Sequence, residues 1–477
     1  MSNMAKWFLM MVMVALLAGS VMVACGGGGD DDDDDDDASD DDSDDDDDSS
    51  DDDDDDDDSE AKVVYYGENG LQKVIYDKCI RCHTEDGVAP FGLEGYDNAE
   101  KYAFDMANET SRRAMPPENV DNSGECGHYD ERNLWLTPEE MQMFQDFVAG
   151  GKAEGNALDS LTLPPPLPGL PEEDRNMVLQ PDEPYLPDAS KAVDSYDDYH
   201  CWLIDPKIDK EMYVTAYEAV SDNESIVHHT VVIPITTKKA ELYLTYLQDV
   251  VYKDQTGWPC SGTEMGGEGL SSFLSLSGPG GGASYFPEGT GQLIKPGQKI
   301  AYQIHYHLEP KDPNDVPGKH WSDDVEPDAS PTYFKLEESV EKPATMRVYR
   351  NTDLFLPPGM ENIDETTDIP LDQDYEIWGV APHMHELGST YQLDLIRADG
   401  EKAGEPECMA RVVNWDFDWQ GLSTMVEPIM AKKGDTMRLS CRYNTEDRET
   451  TTYWGEGSKD EMCIAWVYMV PLGDGGV

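Results

Sequence analysis

Basic residues are scarce in this chain. Lys and Arg number 34 against 100 Asp and Glu, a formal net charge of −66 over 477 residues. A surface that negative repels polyphosphate, which argues against nucleic acid as a partner. Long apolar runs are scarce too: after residue 25, no segment is apolar enough to cross a bilayer. There is one C-x-x-C, at Cys79 and Cys82. A zinc ribbon needs a second, which is missing. A thioredoxin-like dithiol needs a βαβ context, which is also missing.

What is present begins with an export signal. Lys6 precedes an apolar run from Trp7 to Val23, followed by Ala24, Cys25 and Gly26. Val23-Ala24-Cys25 resembles the lipobox of bacterial lipoproteins, which implies that Cys25 is acylated and becomes the first residue. The competing reading is an uncleaved membrane helix, and a run of 17 residues is near the lower limit for a span. Residues 1–25 are therefore expected to be a lipoprotein signal peptide. The chain is expected in the bacterial cell envelope, touching membrane only through its anchor. The absence of Asp at position 26 points to the outer membrane by analogy with lipoprotein sorting. Residues 26–60 read as a disordered tether, because Asp30–Asp58 contains 24 aspartates that repel one another and bury nothing. Without those 24 charges the net charge is still −42, so acidity is a property of the remaining chain as well.

The stretch Cys79-Ile80-Arg81-Cys82-His83 is C-x-x-C-H. Two thiols at this spacing can form thioethers to haem vinyls, and the adjacent His83 can supply the proximal nitrogen. Residues 61–155 are therefore expected to be a small all-α domain carrying one covalent haem c. Met115, in a proline-stiffened loop before Pro116 and Pro117, resembles the sixth-ligand loop of small cytochromes c. Met106 is its competitor, and His128 reads as a surface residue. Thr137 as cap, Pro138 at the first position and the following acids predict a closing helix.

Residues 156–185 are rich in proline and predict a stiff, extended connector. Beyond it the pattern changes. Val227–Ile235, Lys299–Leu308, Tyr375–Val380, Tyr391–Ile396 and Ile464–Val470 are β-branched and aromatic runs separated by turn residues. They predict two antiparallel, jelly-roll-like β-sandwiches, over 186–335 and 336–477.

Six of the ten histidines fall in three close pairs: His228-His229, His305 with His307, and His383 with His385. Residues i and i+2 share one face of a strand, so His383 and His385 can grip one ion. Neighbours such as His228 and His229 point apart on a regular strand, and both reach one ion only at a strand end or a bulge. Imidazole suits copper, zinc, iron and nickel alike, so the histidines alone name no metal. Of the nine cysteines, Cys25, Cys79 and Cys82 have been given roles. The remaining six permit three disulfides without requiring them.

The order Val227-His228-His229, Gln303-Ile304-His305-Tyr306, Pro382-His383-Met384-His385 and Asp460-Glu461-Met462-Cys463 resembles the copper type II, ascorbate-dependent monooxygenases, over roughly residues 195–477. That resemblance implies two copper ions and a reductant, ascorbate or another donor. His228, His229 and His305 would hold an electron-storing copper. His383, His385 and Met462 would hold the copper at which O₂ is activated. His307 and Met384 match no ligand position. The resemblance also implies disulfides Cys441–Cys463 and Cys201–Cys260, and gives no guide to Cys126 and Cys408. Two positions depart from the peptide-amidating members. Ala381 stands where they carry an arginine for the substrate carboxylate, and Trp466 replaces a substrate tyrosine. The implied function is hydroxylation of a C–H bond of a small-molecule substrate with O₂; the fused haem, and not the resemblance, suggests that electrons from an external donor pass through iron held by His83 and Met115. The alternatives are a non-enzymatic, lipid-anchored electron carrier or copper-binding protein, and a peptide-amidating hydroxylase, which Ala381 disfavours.

Overall fold

The computed structural model describes residues 63–473, apart from 86–88, 90, 118–119, 131, 188–196, 224–225, 261–271, 279–280, 309–325, 418 and 456–458, and gives backbone alone at Asp197 and His307. Cys25, the signal peptide and the acidic tether lie outside the described residues.

Four helices come first: α1 Leu71–Lys78, α2 Gly95–Lys101, α3 Ala103–Ser111 and α4 Pro138–Ala149. All are too short to persist alone, so packing holds them. Leu71, Ile75, Ala103, Met106, Ala107, Phe144 and Phe147 form their shared core. The closing helix α4 starts at Pro138. Thr137 Oγ accepts the Glu140 N–H and the Glu140 carboxylate accepts the Thr137 N–H, a reciprocal capping box.

Residues 161–169 follow as an exposed run without helix or strand. The proline-rich connector ends sooner than its composition predicts, because Met177–Leu179 already pairs antiparallel with Thr332–Glu337. From here the described residues are mostly strand, with one further α-helix, α5 Lys238–Tyr246, that runs on into a π-helical turn at Leu247–Val251. A five-stranded sheet has the order Trp258–Pro259, Asp197–Ile204, Ile300–His307, Val227–Pro234, Ser275–Ser277. A four-stranded sheet has the order Ile363–Pro370, Thr436–Tyr443, Gly388–Ile396, Pro406–Val412.

A nine-stranded sheet backs both of them. Its two halves join where Lys342–Arg350 pairs parallel with Thr290–Ile294. Strand Ile464–Leu472 shows why the halves cannot separate. Ile464, Trp466, Tyr468 and Val470 enter the first core, and Ala465, Val467 and Met469 enter the second. The period of two puts alternate residues on opposite faces, and both faces are buried.

The helical module is locked to the second sandwich. Strands Pro406–Val412 and Ser423–Ala431 each end a sheet, and open edges invite further pairing. The segment around 120–130 covers both, with bridges Val120↔Val412 and Tyr129↔Met425. Asp121, Gly127 and Asp130 donate backbone N–H groups to Arg411, Cys408 and Thr424 carbonyls at 2.8, 3.2 and 2.9 Å. Cys126–Cys408 is a disulfide across this junction, beside Cys201–Cys260 and Cys441–Cys463.

Asp121, almost wholly buried, pairs with Arg411. Burial pushes the Asp121 carboxyl up, but hydrogen bonds from Ser123 and Arg411 outweigh this and hold it below the usual carboxylate range. A depressed carboxyl stabilises the folded state above its unfolded value and loses that contribution as pH falls through the folded one. The docking contribution is therefore constant above about pH 5 and lost only in acid. Arg411→Ala in a Cys126→Ser background is expected to destabilise the docked module by about 2 kcal/mol. Thermal unfolding checks this, and an unchanged transition would remove the ion pair from the docking account.

Candidate metal centres

The first centre forms on the five-stranded sheet. Strand Val227–Pro234 pairs with Ile300–His307, and the register shifts between Val227, opposite Tyr306, and His229, opposite His305. His228 is the extra residue of this bulge, which turns its side chain to the side that His229 and His305 share. The Nδ1 atoms of His228 and His229 are 3.1 Å apart, those of His228 and His305 3.2 Å, and those of His229 and His305 3.3 Å. Three linear N–H···N bonds cannot close so small a triangle. Three lone pairs aimed at one ion can. The centre of a triangle of this size (side divided by √3) lies roughly 1.9 Å from each nitrogen, close to a metal–imidazole bond of about 2.0 Å. Tyr199 stacks on His305 at 4.0 Å, which fixes that ring.

The second centre forms where Asp374–His383 runs beside Ile464–Leu472. The last pair is His383↔Ile464, so the same register continued would set His385 opposite Met462. The rings of His383 and His385 are 5.2 Å apart and nearly perpendicular. Gln420 Oε1 accepts from His383 Nδ1, and the Asp460 carbonyl accepts from His385 Nδ1 at 3.1 Å. In both rings this leaves Nε2 as the nitrogen that could bind a metal, the tautomer control that metal-binding histidines need. Burial pushes His383 down to about 3 and His385 below its usual value, so both rings are neutral.

One residue with no assigned role in the sequence reading organises this centre. Glu461 is fully buried. Its carboxylate accepts the N–H groups of His385 at 3.0 Å, Leu387 at 2.7 Å and Met462 at 3.2 Å. It ties the loop that carries His385 to the segment that carries Met462. Cys441–Cys463 and the bond from Tyr443 Oη to the Met462 carbonyl (2.9 Å) brace that segment further. Sequence reasoning also missed the loop between Pro406–Val412 and Ser423–Ala431. From it Trp415 Nε1 donates to the His385 carbonyl at 3.1 Å, Phe417 meets His385 edge-on at 5.7 Å, and Trp419 meets His228 edge-on at 6.0 Å. One loop thus reaches the ligand sets of both centres.

In the helical module, α1 ends into the C-x-x-C-H turn. Cys79 N–H donates to the Ile75 carbonyl at 2.8 Å and His83 N–H to the Cys79 carbonyl at 3.0 Å. Neither Cys79 nor Cys82 is in a disulfide. Burial and the neighbouring Cys82 push the Cys79 thiol up to about 12. A redox dithiol needs the opposite shift. His83 Nδ1 donates to the Phe91 carbonyl at 3.0 Å, again leaving Nε2 for a metal, and burial lowers its pKa. Met115 stands 37 % exposed beyond α3, whereas Met106 is 7 % exposed in the helical core. His128 is exposed.

A cavity of ≈ 150 Å³ opens where the module meets both sandwiches. Arg81 and Cys82 line it from the module, Tyr217 from the first sandwich, and Pro382, Trp419 and Gln420 from the second.

Residues 347–472 match the family described as copper type II ascorbate-dependent monooxygenase, C-terminal domain. His383, His385, Gln420, Glu461 and Met462 lie inside that match, and the three-histidine set lies outside it. The chain is also similar to dopamine beta-hydroxylase of Canis lupus familiaris, 23 % identical over 318 residues, 64 % of this chain and 47 % of that protein. DBH-like monooxygenase protein 1 of Mus musculus is 25 % identical over 179 residues, 30 % of this chain and 28 % of that protein. The chain spans about half the length of the dopamine beta-hydroxylase it matches. Its second sandwich, with half-buried His383, buried His385 and Met462, is the part similar to the copper monooxygenase C-terminal domain.

Proposed function

We propose that the chain is a copper-dependent monooxygenase. It inserts one atom of O₂ into a C–H bond of a small-molecule substrate and reduces the other to water; with two electrons and two protons, R–H and O₂ give R–OH and H₂O. The observation that carries this reading is the triangle of three Nδ1 atoms at 3.1–3.3 Å. His228, His229 and His305 hold one copper. His383, His385 and Met462 hold the other, where the thioether favours the Cu(I) state. Copper supplies the one-electron and O₂ chemistry when bound. The chain's own residues keep the rings neutral by burial and fix their tautomers through Gln420 and Asp460. Glu461 holds the two ligand-bearing segments together.

The position next to the second centre favours an apolar substrate. Ala381 faces Trp466 across the strand pair, and Phe273 meets Trp466 edge-on at 5.7 Å. An alanine offers no anchor for a peptide carboxylate. Electrons come from an external one-electron donor, ascorbate or another, and enter at a haem c held by Cys79, Cys82 and His83, with Met115 as distal ligand. A lipid at Cys25 keeps the protein in the bacterial envelope, probing substrate outside the cytoplasm; no described helix is long and apolar enough to cross a membrane.

Metal and haem analysis of the exported protein tests the reading. Two coppers and one haem per chain are expected, and zinc in place of copper would sink it. Met462→Ala is expected to weaken Cu(I) binding at one site by roughly tenfold or more and to abolish substrate-dependent O₂ uptake. Unchanged uptake would remove Met462 from the site.

A further inference from the structure

We propose that the helical module is docked as a fixed one-electron partner of the three-histidine set, and that Trp419 is the positioning residue that couples them across the intervening cavity. This rests on the reading above, in which haem and copper are both bound.

Three independent observations carry it. The first is rigidity. Both ends of the loop 413–422 are held by the module, at Val412 through the bridge to Val120 and at Thr424 through the Asp130 N–H and the Arg132 guanidinium. Cys126–Cys408 makes the arrangement covalent. A module that only delivered electrons on encounter would need none of this. The second is reach. The same loop carries Trp419 against His228 at 6.0 Å and Gln420 against His383. The third is the gap itself. One cavity has Cys82, the second cysteine of C-x-x-C-H, on its wall together with Trp419 and Gln420. Nothing in the oxygen chemistry requires the haem-binding turn to share a cavity with the loop that reaches both centres. Electron tunnelling does, because its rate falls steeply with the width of the gap, and an indole in the gap shortens each step. The step moves one electron. With both groups bound, a haem held by Cys79, Cys82 and His83 would give up the electron and a cupric ion held by His228, His229 and His305 would take it up; no bond would form or break and no proton would move. An external one-electron reductant of the ascorbate class restores the haem.

The test uses the full, haem- and copper-loaded chain under anaerobic conditions, with less than one equivalent of ascorbate. Haem absorbance is expected to rise and then decay as the electron moves on, with a first-order rate independent of protein concentration. Trp419→Leu is expected to slow that decay by roughly tenfold, about 1.4 kcal/mol in the barrier, and Trp419→Phe to restore most of the rate. The cupric EPR signal of the three-histidine set should be unchanged in both. In C126S/C408S the decay is expected to become multiphasic. An unchanged rate in Trp419→Leu, or a rate proportional to protein concentration, overturns the proposal while leaving the copper reading intact. Absence of haem or copper from the wild-type chain overturns the reading beneath it, and the metal analysis tells the two failures apart.

Discussion

Glu461→Ala is expected to cost the protein the copper proposed at His383, His385 and Met462 and to destabilise it by about 3–5 kcal/mol. The wild-type carboxylate accepts three backbone N–H groups while fully buried. Those donors sit on His385 and Met462, two of the three ligands proposed for the second centre, and on Leu387. Burial pushes the Glu461 carboxyl up to about 7, and the three donors pull against that shift. Truncation leaves all three N–H groups without the buried acceptor they now share, and each costs about 1–3 kcal/mol. Glu461→Gln keeps an acceptor oxygen but turns an amide N–H₂ toward donors that need an acceptor, so an intermediate loss is expected. Copper titration and thermal unfolding of both variants check this. Full copper occupancy with wild-type stability in the alanine variant would show that Glu461 is not what holds the centre.

The second large effect lies in the helical module. Cys79→Ala with Cys82→Ala is expected to abolish covalent haem while leaving copper at the wild-type level. The turn after α1 is built from backbone bonds that do not involve either thiol, and the buried helical core is made by other residues, with Cys79 packed only against its edge. Fold and docking should therefore survive, and the loss should be confined to the pigment. The measurement is a haem stain after denaturing electrophoresis, which sees only thioether-bound haem, set beside copper analysis of the same sample. A stain that persists, or copper lost together with it, would refute the division of labour between module and sandwiches. His83→Ala in the same assay should keep some thioether attachment but lose the low-spin spectrum that a neutral His83 Nε2 would give.

Local patterns carried much of this architecture in the sequence, and non-local ones did not. The strand runs at Val227, Lys299, Tyr375, Tyr391 and Ile464 each fall on an observed strand, because β-branched and aromatic side chains fit a pleated, buried surface wherever the strand pairs. Strand Ile464–Leu472 reads as one continuous apolar run for a physical reason, since it is buried on both faces. That His228 and His229 need a strand end or a bulge to reach one ion was legible from the period of two alone, and of the two it is a register shift that lies there. The sharing of one nine-stranded sheet by both sandwiches was not legible, because the parallel pairing of Lys342 with Thr290 leaves no local mark. Nor was the partner of Cys126. It lies on an edge strand 282 residues away, and parity of cysteine count says nothing about pairing. Glu461 was visible as a residue but not as a clamp, because an acid beside a methionine ligand has no periodic signature. Gln420 and Trp419 sit in a loop whose composition marks it only as a turn.

The Cys126–Cys408 bond, between cysteines 282 positions apart, closes the chain from helical module to second sandwich into a covalent ring. The proline-rich connector lies inside that ring, so it no longer decides how near the two parts stay. A protease that cuts at 161–169 opens the ring but releases nothing; the fragments part only after reduction. Lengthening the connector should likewise leave the local concentration of one part at the other unchanged, where in an open chain it would fall with linker length. The connector is then a segment free to change in sequence and length, and the spacing between the helical module and the second sandwich is set instead by the disulfide together with the backbone bonds and the Asp121–Arg411 pair of the docked segment.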